Sequence, residues 1–357
     1  GLFPVFFANP LNTFNTQFST NYEIDFWGKL RGAKASAKAQ ALSTHYAQDT
    51  VSLSLTSQVA MHYFALRGAD SQIAVTENNL KSRDESLELT KRRLEGGVVS
   101  VLDVHQAEVA SANLAAQLIE LRRMREITQH QLALLTANLA LNVPATDILT
   151  LPMPPMPPAG LPSSLLEARP DIRQAEALMI AADANIGVAK AALYPSISLT
   201  GNYGGESLAL SDLLSSPARI WSAGFAFNLP IFNSGRLKSR VDQASARQKQ
   251  ALANYQAAIQ SAFTEMNNAL VNYRQYTELE EALVTSEAAA KKALEVSQNR
   301  YQSGYSAYLE VLDAQRVYND TAMQFVQSRQ ARMIATVDIF RAMGGGWQDK
   351  NKAKTPN

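Results

Sequence analysis

From Phe14 to Trp27 the side chains alternate. Phe14, Thr16, Phe18, Thr20, Tyr22, Ile24 and Phe26 take the even positions, and Asn15, Gln17, Ser19, Asn21, Glu23 and Asp25 the odd ones. A period of two is that of a β-strand with unlike faces. Arg219 to Ile231 has the same period, with Trp221, Ala223, Phe225, Phe227, Leu229 and Ile231 opposite Ser222, Gly224, Ala226 and Asn228. Leu193 to Tyr203 alternates too, its polar set being Ser196, Ser198, Thr200 and Asn202. Three two-faced strands are predicted.

The stretches after the first and third strands change period. Leu66, Ile73, Leu80, Leu87 and Leu94 recur every seven residues, the seam of a coiled coil. Beyond Gly96-Gly97, positions 107, 111, 114, 118, 121, 125, 128, 132, 135 and 139 step by four and three, and Ala or Leu fills most of them. A helix that returns on itself at the glycines is expected, each long arm about 100 Å at 1.5 Å per residue. The same design recurs at an offset of 207. Gly28-Lys29-Leu30 matches Gly235-Arg236-Leu237, Arg93 to Gly97 matches Arg300 to Gly304, and Leu102-Asp103-Val104 matches Leu309-Glu310-Val311. The chain therefore contains one unit twice. Ala168 to Ser207 precedes the second copy, and its first-copy counterpart would fall before Gly1, so the first copy reads as truncated and the chain as a fragment. Its start shows neither an initiator Met nor a signal sequence.

Between the copies, Pro152, Pro154, Pro155, Pro157, Pro158 and Pro162 exclude helix and ladder and imply an extended crossing. Pro170 suits a first helical turn, which makes Pro170 to Ala192 one short helix. The expected organisation is a loop and strand over 1–27, a helical hairpin over 28–142, a linker over 143–169, a helix over 170–192, a β-hairpin over 193–232, a second helical hairpin over 233–343 and a tail over 344–357.

Composition narrows the function. With 33 Lys+Arg against 32 Asp+Glu the net charge is +1, without the basic excess of a nucleic-acid binder. There is no cysteine, which removes disulfides, thiolate catalysis and Cys-based zinc sites. His45, His62, His105 and His130 lie apart, Met153 and Met156 sit among prolines that tolerate them, and no metal or cofactor site is expected. Lys91-Arg92-Arg93 and Arg122-Arg123 read as solvated helix faces. No Ser/His/Asp spacing, phosphate loop or dinucleotide pattern appears, so an enzyme is not expected. No uncharged run makes a transmembrane helix, because Gly1 to Tyr22 is interrupted by Pro4 and Pro10. Any bilayer crossing falls to the strands, whose apolar faces are nearly free of charge and end in Trp27, Trp221, Tyr194 and Phe232 as a membrane girdle. Three or four strands cannot close a barrel alone, and open edges in lipid are forbidden. Four strands from each of three protomers would give twelve.

Several motifs together resemble TolC-type outer-membrane efflux proteins, in particular the OprM or NodT branch serving resistance-nodulation-division pumps. They are Arg169-Pro170-Asp171-Ile172-Arg173-Gln174-Ala175-Glu176, Tyr194-Pro195-Ser196, Asp25-Phe26-Trp27-Gly28, Leu229-Pro230-Ile231-Phe232, Tyr308 to Arg316 and Gly344-Gly345-Gly346-Trp347. The resemblance covers nearly the whole chain. It implies a mostly α fold with membrane β: a homotrimer whose long antiparallel helices form an α-barrel joined to a twelve-stranded transmembrane β-barrel. It also implies outer-membrane lipid around the strands, extension into the periplasm of a Gram-negative bacterium, and a periplasmic adaptor with an inner-membrane pump as partners. The sequence departs from the family at its start, lacking the N-terminal helical segment and first strand that often follow a lipidated cysteine.

Glu310 and Asp313 share one helix face, and the first copy has Asp103 and Gln106 in their places. Three protomers would gather six such acids, a cation-attracting constriction. The bland reading is that Asp313 pairs with Arg316 while Glu310 is solvated. The resemblance implies that Leu309 and Asp313 line the periplasmic constriction and that Tyr301 belongs to the lock holding it shut. At the turns, Gly96, Gly97, Val98 and Ser100 and their counterparts Ser303, Gly304 and Tyr305 end the helices, where glycine relieves left-handed backbone. The functional reading adds that these tips dock the adaptor. The exported substrate stays open between drugs, metal ions and secreted proteins, and a periplasmic coiled-coil scaffold or adaptor is the alternative from another class. Detergent separates that alternative from a barrel: a channel should need it for extraction and resist dissociation as a trimer, whereas a scaffold would stay in the aqueous fraction.

Overall fold

The computed structural model describes residues 12–155 and 169–345. The N-terminal loop up to residue 11, Met156 with the prolines at 157, 158 and 162, and the tail from 346 lie outside the described residues. In chain order the elements are β1 (Phe14–Ile24), α1 (Lys29–Glu95), α2 (Val101–Leu135), α3 (Pro170–Ala191), β2 (Ser196–Ser207), β3 (Arg219–Asn228), α4 (Arg236–Gln302) and α5 (Tyr308–Ala342). The duplication is visible residue by residue. α1 and α4 each have 67 residues and α2 and α5 each have 35, every boundary offset by 207. The chain divides into two compact units, one of residues 1–45 and 174–256, the other of 46–173 and 257–357.

In the first unit β1, β2 and β3 form an antiparallel sheet in that order. Its register puts like with like. Phe18, Tyr203 and Trp221 make one cross-strand row, Tyr22, Leu199 and Phe225 a second, and Ile24, Ile197 and Phe227 a third. This face stays uncovered: Phe18 is 74% exposed, Trp221 77% and Phe225 80%. The opposite face carries Ser19, Asn202 and Ser222 in register, with Asn202 Nδ2 donating to Ser222 Oγ at 3.1 Å. Glycines permit close approach here. A Cβ on Gly204 would run into the Thr16 carbonyl oxygen, whereas one on Gly224 would meet Thr200 Oγ1 at 3.4 Å, an ordinary contact. No helix of the described residues is long and apolar enough to cross a membrane.

The second unit has its core where the hairpins meet. Leu66 is fully buried in α1, and Val104, Ala107, Leu114, Leu118 and Leu132 line the inner side of α2. The stepping pattern extends to Leu139, but α2 stops at Leu135, because Ala137 adopts φ 53° and its N–H closes on the Leu134 carbonyl. Gly344, the repeat counterpart of Ala137, does the same at φ 86°. Leu139 is consequently outside the helix and exposed.

The chain after α2 is held by buried polar groups. Asp70 is bound between Arg67 at 3.1 Å and Arg125 at 2.6 Å and accepts the Thr146 N–H, while Arg67 Nη1 donates to the Pro144 carbonyl. Ser71 accepts the Ile148 N–H and donates to Asp147, fixing a single 3-10 turn at Ile148–Thr150. Ile148 then packs fully buried against Val326 and Met333. Arg329 joins the Leu151 carbonyl to Glu280, which also receives Arg332. Charges buried this deeply hold the segment in place because leaving one unpaired costs several kcal/mol.

Gly204→Ala should disrupt β1–β2 pairing and sharply lower the yield of folded protein, while Gly224→Ala should fold normally. Heat-modifiability on gels, comparing the two variants, checks this.

Candidate functional site

The hairpin turns are built alike. At the end of α1, Gly97 N–H bonds the Leu94 carbonyl and Val98 N–H the Arg93 carbonyl; at the end of α4, Gly304 bonds Tyr301 and Tyr305 bonds Arg300. Gly97 at φ 73° and Gly304 at φ 80° hold the left-handed positions of this paired cap. Gly96 has no positive φ, so only one glycine of the pair is conformationally required. Val98 and Tyr305 project from the turns into solvent, and Gly96 and Ser303 are exposed beside them.

The helices that follow start differently. Ser100 and Asp103 form a reciprocal capping box on α2, each side chain accepting the other's backbone N–H. In the second copy Ala307 stands at the cap and offers no side-chain bond. Glu310, the counterpart of Asp103, is thereby released from capping and pairs with Arg300 Nε at 3.1 Å. Arg316 Nη2 binds Asp313 Oδ1 at 2.8 Å, and this bond raises the guanidinium above its ordinary pKa. Leu309 is 62% exposed.

Tyr301 is separated from this exposed group. It is 4% exposed, shares a 3.3 Å hydrogen bond with Thr90 and packs beside Tyr308, Val311 and Ala107. Arg93 lies over its ring at 4.3 Å and donates to the carbonyls of Tyr301 and Gln302. α1 thus holds the last turn of α4. Burial pushes the Tyr308 phenol up to about 12, with Tyr301 adding to the shift and Arg83 opposing it.

Leu309, Asp313 and Arg316 form one wall of an open cleft of about 600 Å³, and Leu102, Gln106 and Val109 form the other. These are repeat counterparts: 102 with 309, 106 with 313, 109 with 316. The same face of each copy therefore looks across one cleft, with the charged pair Asp313 and Arg316 on α5 and the uncharged amides Gln106 and Asn113 among apolar residues on α2. His105 and Arg83 also line it. The repeat alignment already matches Leu102 with Leu309 and Gln106 with Asp313, but a site role is expected from sequence only on α5; the structure brings both walls to one cleft.

In the first unit, the aromatics sit at two levels. Trp221 lies in the row with Tyr203 and Phe18. Trp27 stacks on Tyr194 at 4.6 Å and 20°, donates its indole N–H to the Pro195 carbonyl at 2.8 Å, and has fully exposed Phe232 at the same end of the sheet. From Tyr203 to Tyr194 an extended chain covers about 30 Å, or roughly 23 Å when tilted as barrel strands are, close to the apolar band of an outer membrane of about 25 Å. Among the described residues no group of three or more His, Asp or Glu side chains is placed to hold a metal ion.

Above its ordinary value of 10.0, the Tyr308 phenol favours the folded, protonated state. Its contribution to stability should be complete below pH 10 and lost as pH rises towards 12. Tyr308→Phe should remove the highest-pH step from the phenolate absorbance titration and flatten the fall in thermal stability over that window.

The sequence profile of the family described as outer membrane efflux protein matches residues 6–138 and 161–345. A probable efflux pump outer membrane protein, SepC of Pseudomonas putida, is 34% identical over 341 residues, covering 94% of this chain and 70% of its own length. The cation efflux system protein CusC of Escherichia coli is 34% identical over 351 residues, covering 94% and 73%. Among solved structures, the Campylobacter jejuni CmeC outer membrane channel superposes with a TM-score of 0.89 at 27% identity, covering 96% of this chain and 73% of that one. The outer-membrane channel OprN gives 0.88 at 28% identity, with 94% and 82% covered. An uncovered apolar sheet face, two equal helical hairpins, and these matches along both copies lead to one conclusion: this chain belongs to the outer membrane efflux protein family and has the channel fold of that family, a protein of the Gram-negative outer membrane.

Proposed function

We propose that the chain assembles as a homotrimer into the exit duct of a tripartite efflux system, passing small molecules from an inner-membrane resistance-nodulation-division pump and a periplasmic adaptor to the exterior. The observation that carries this reading is the exposed apolar face of β1–β3, continuous in register over three strands and without a covering layer among the described residues. The duct makes and breaks no bond. Its cargo is chosen upstream, consistent with relatives named for toluene, antibiotic and cation efflux that share about one third of their residues with this chain.

The constriction lies at the tips of the second hairpin, with Leu309 as its apolar plug and Glu310 and Asp313 as its charged ring. Arg300 pairs with Glu310 and Arg316 with Asp313 within each protomer, and these ion pairs fix where the carboxylates of the ring sit. Tyr301 acts from inside the core, where Arg93 and Thr90 fix the end of α4 and hence the height of the ring. The exposed turns at Gly96, Gly97, Val98 and Ser100 and at Ser303, Gly304 and Tyr305 receive the adaptor. The uncovered aromatics Trp27, Trp221, Tyr194 and Phe232 mark the two rims of the bilayer.

Replacing Leu309 and Asp313 with alanine should raise single-channel conductance in planar bilayers severalfold and weaken cation selectivity, while Arg316→Ala should leave the pore narrow. Unchanged conductance in the double variant would remove the gate from these residues. A crosslinking scan should capture adaptor at Val98 and Tyr305; capture only at positions far from both turns would sink the docking assignment.

A further inference from the structure

The end of the sheet that meets the helices carries an excess of positive charge. Lys29, Arg31, Lys34 and Lys38 open α1, which has no acid before Asp49, and Arg236, Lys238 and Arg240 open α4 ahead of Asp242. Lys190 joins them from the last turn of α3. Acids at this level are Glu23, which holds Lys29, Asp25, which holds Arg31, and Asp183 and Asp242, which leave the bases in excess. Lys34, Lys38, Lys190, Arg236, Lys238 and Arg240 are all exposed, and none forms an ion pair among the described residues.

This distribution runs against local preference. A helix N-terminus carries partial positive charge and favours acids, yet the first turns of α1 and α4 contain none; α1 alone has one beside it, Asp25, whose carboxylate accepts the Leu30 and Arg31 N–H groups. Both copies of the repeat keep bases there, so the placement answers to something outside the helix. The neighbouring surface says what. The uncovered apolar sheet face, with Phe26, Ile231 and Phe232 at its lower edge, ends where the basic residues begin. The far end of the sheet, around Glu206, Asp212 and Arg219, has no such excess. A greasy band bordered on one side only by a belt of free Lys and Arg fits a bilayer whose nearer leaflet presents anionic headgroups.

We propose that this belt binds anionic phospholipid headgroups, such as phosphatidylglycerol, in the leaflet facing the helical hairpins, and so sets the depth at which the strands sit. The inference rests on the outer-membrane reading above. Recognition is by charge over many headgroups rather than by one pocket, so it should depend on salt.

The test uses the full chain in nanodiscs of phosphatidylcholine mixed with phosphatidylglycerol, with native mass spectrometry counting the lipids retained. The wild type should enrich phosphatidylglycerol over phosphatidylcholine, and Lys34→Glu, Lys38→Glu, Lys238→Glu and Arg240→Glu combined should cut that enrichment about fivefold or more. Arg219→Glu, at the opposite end, should leave it unchanged. Should the charge-reversed variant not fold, Lys34→Gln with Lys38→Gln and a salt series on the wild type give the same reading, with enrichment falling in both. Equal retention of the two lipids, enrichment untouched by the substitutions, or loss of enrichment to inorganic phosphate at modest concentration would each overturn the proposal. Channels that conduct in pure phosphatidylcholine yet show no enrichment defeat the belt alone; failure to insert into any bilayer defeats the membrane reading itself.

Discussion

Peptide groups in hydrocarbon have no water to bond, so a strand that faces lipid must have both of its edges paired. That constraint governs this chain. The sheet of β1, β2 and β3 satisfies the inner edges through its register and leaves the outer edges of β1 and β3 in need of partners beyond it. Its aromatic face has no helix or second sheet to cover it among the described residues. Folding of the membrane part and association are therefore coupled, and the long helices that follow β1 and β3 have to sustain the same symmetry.

The duplication supplies those helices twice, with identical lengths and paired glycine caps. Identity of scaffold has not meant identity of tips. Asp103 serves the backbone of α2, while Glu310 at the matching place serves Arg300. Gln106 faces the cleft as an amide where Asp313 faces it as a carboxylate. The carboxylate–guanidinium pair belongs to one copy, while the other faces the cleft with amides and apolar side chains.

Much of the fold was legible in the sequence because burial imposes its period on it. The two-residue alternation from Phe14 to Phe26 and the seven-residue seam from Leu66 to Leu94 need no partner information to be recognised. What escaped depends on contacts far apart in sequence. The α2 pattern extends past Leu135 on paper, but the left-handed turn at Ala137 ends the helix. The anchoring of residues 143–151 by Arg67, Asp70 and Arg329 joins positions about 75 to 180 apart and has no local signature. At the tip, the Asp313–Arg316 pair could be foreseen from its spacing, whereas Arg300–Glu310 spans a turn whose geometry is set by Gly304. Tyr301 is set deep among Thr90, Arg93 and Tyr308 rather than beside the exposed acids, which only the packing of α1 on α4 determines.

The missing side-chain cap at Ala307 has its own consequence. A Ser-type cap is worth about 1 kcal/mol, so the first turn of α5 frays roughly five times more readily than that of α2. Two turns of matching backbone geometry thereby acquire unequal caps, and a push delivered evenly to both would be absorbed mainly by the second. The copies share a backbone, and the hydroxyl present at Ser100 and absent at Ala307 tilts which of them yields first.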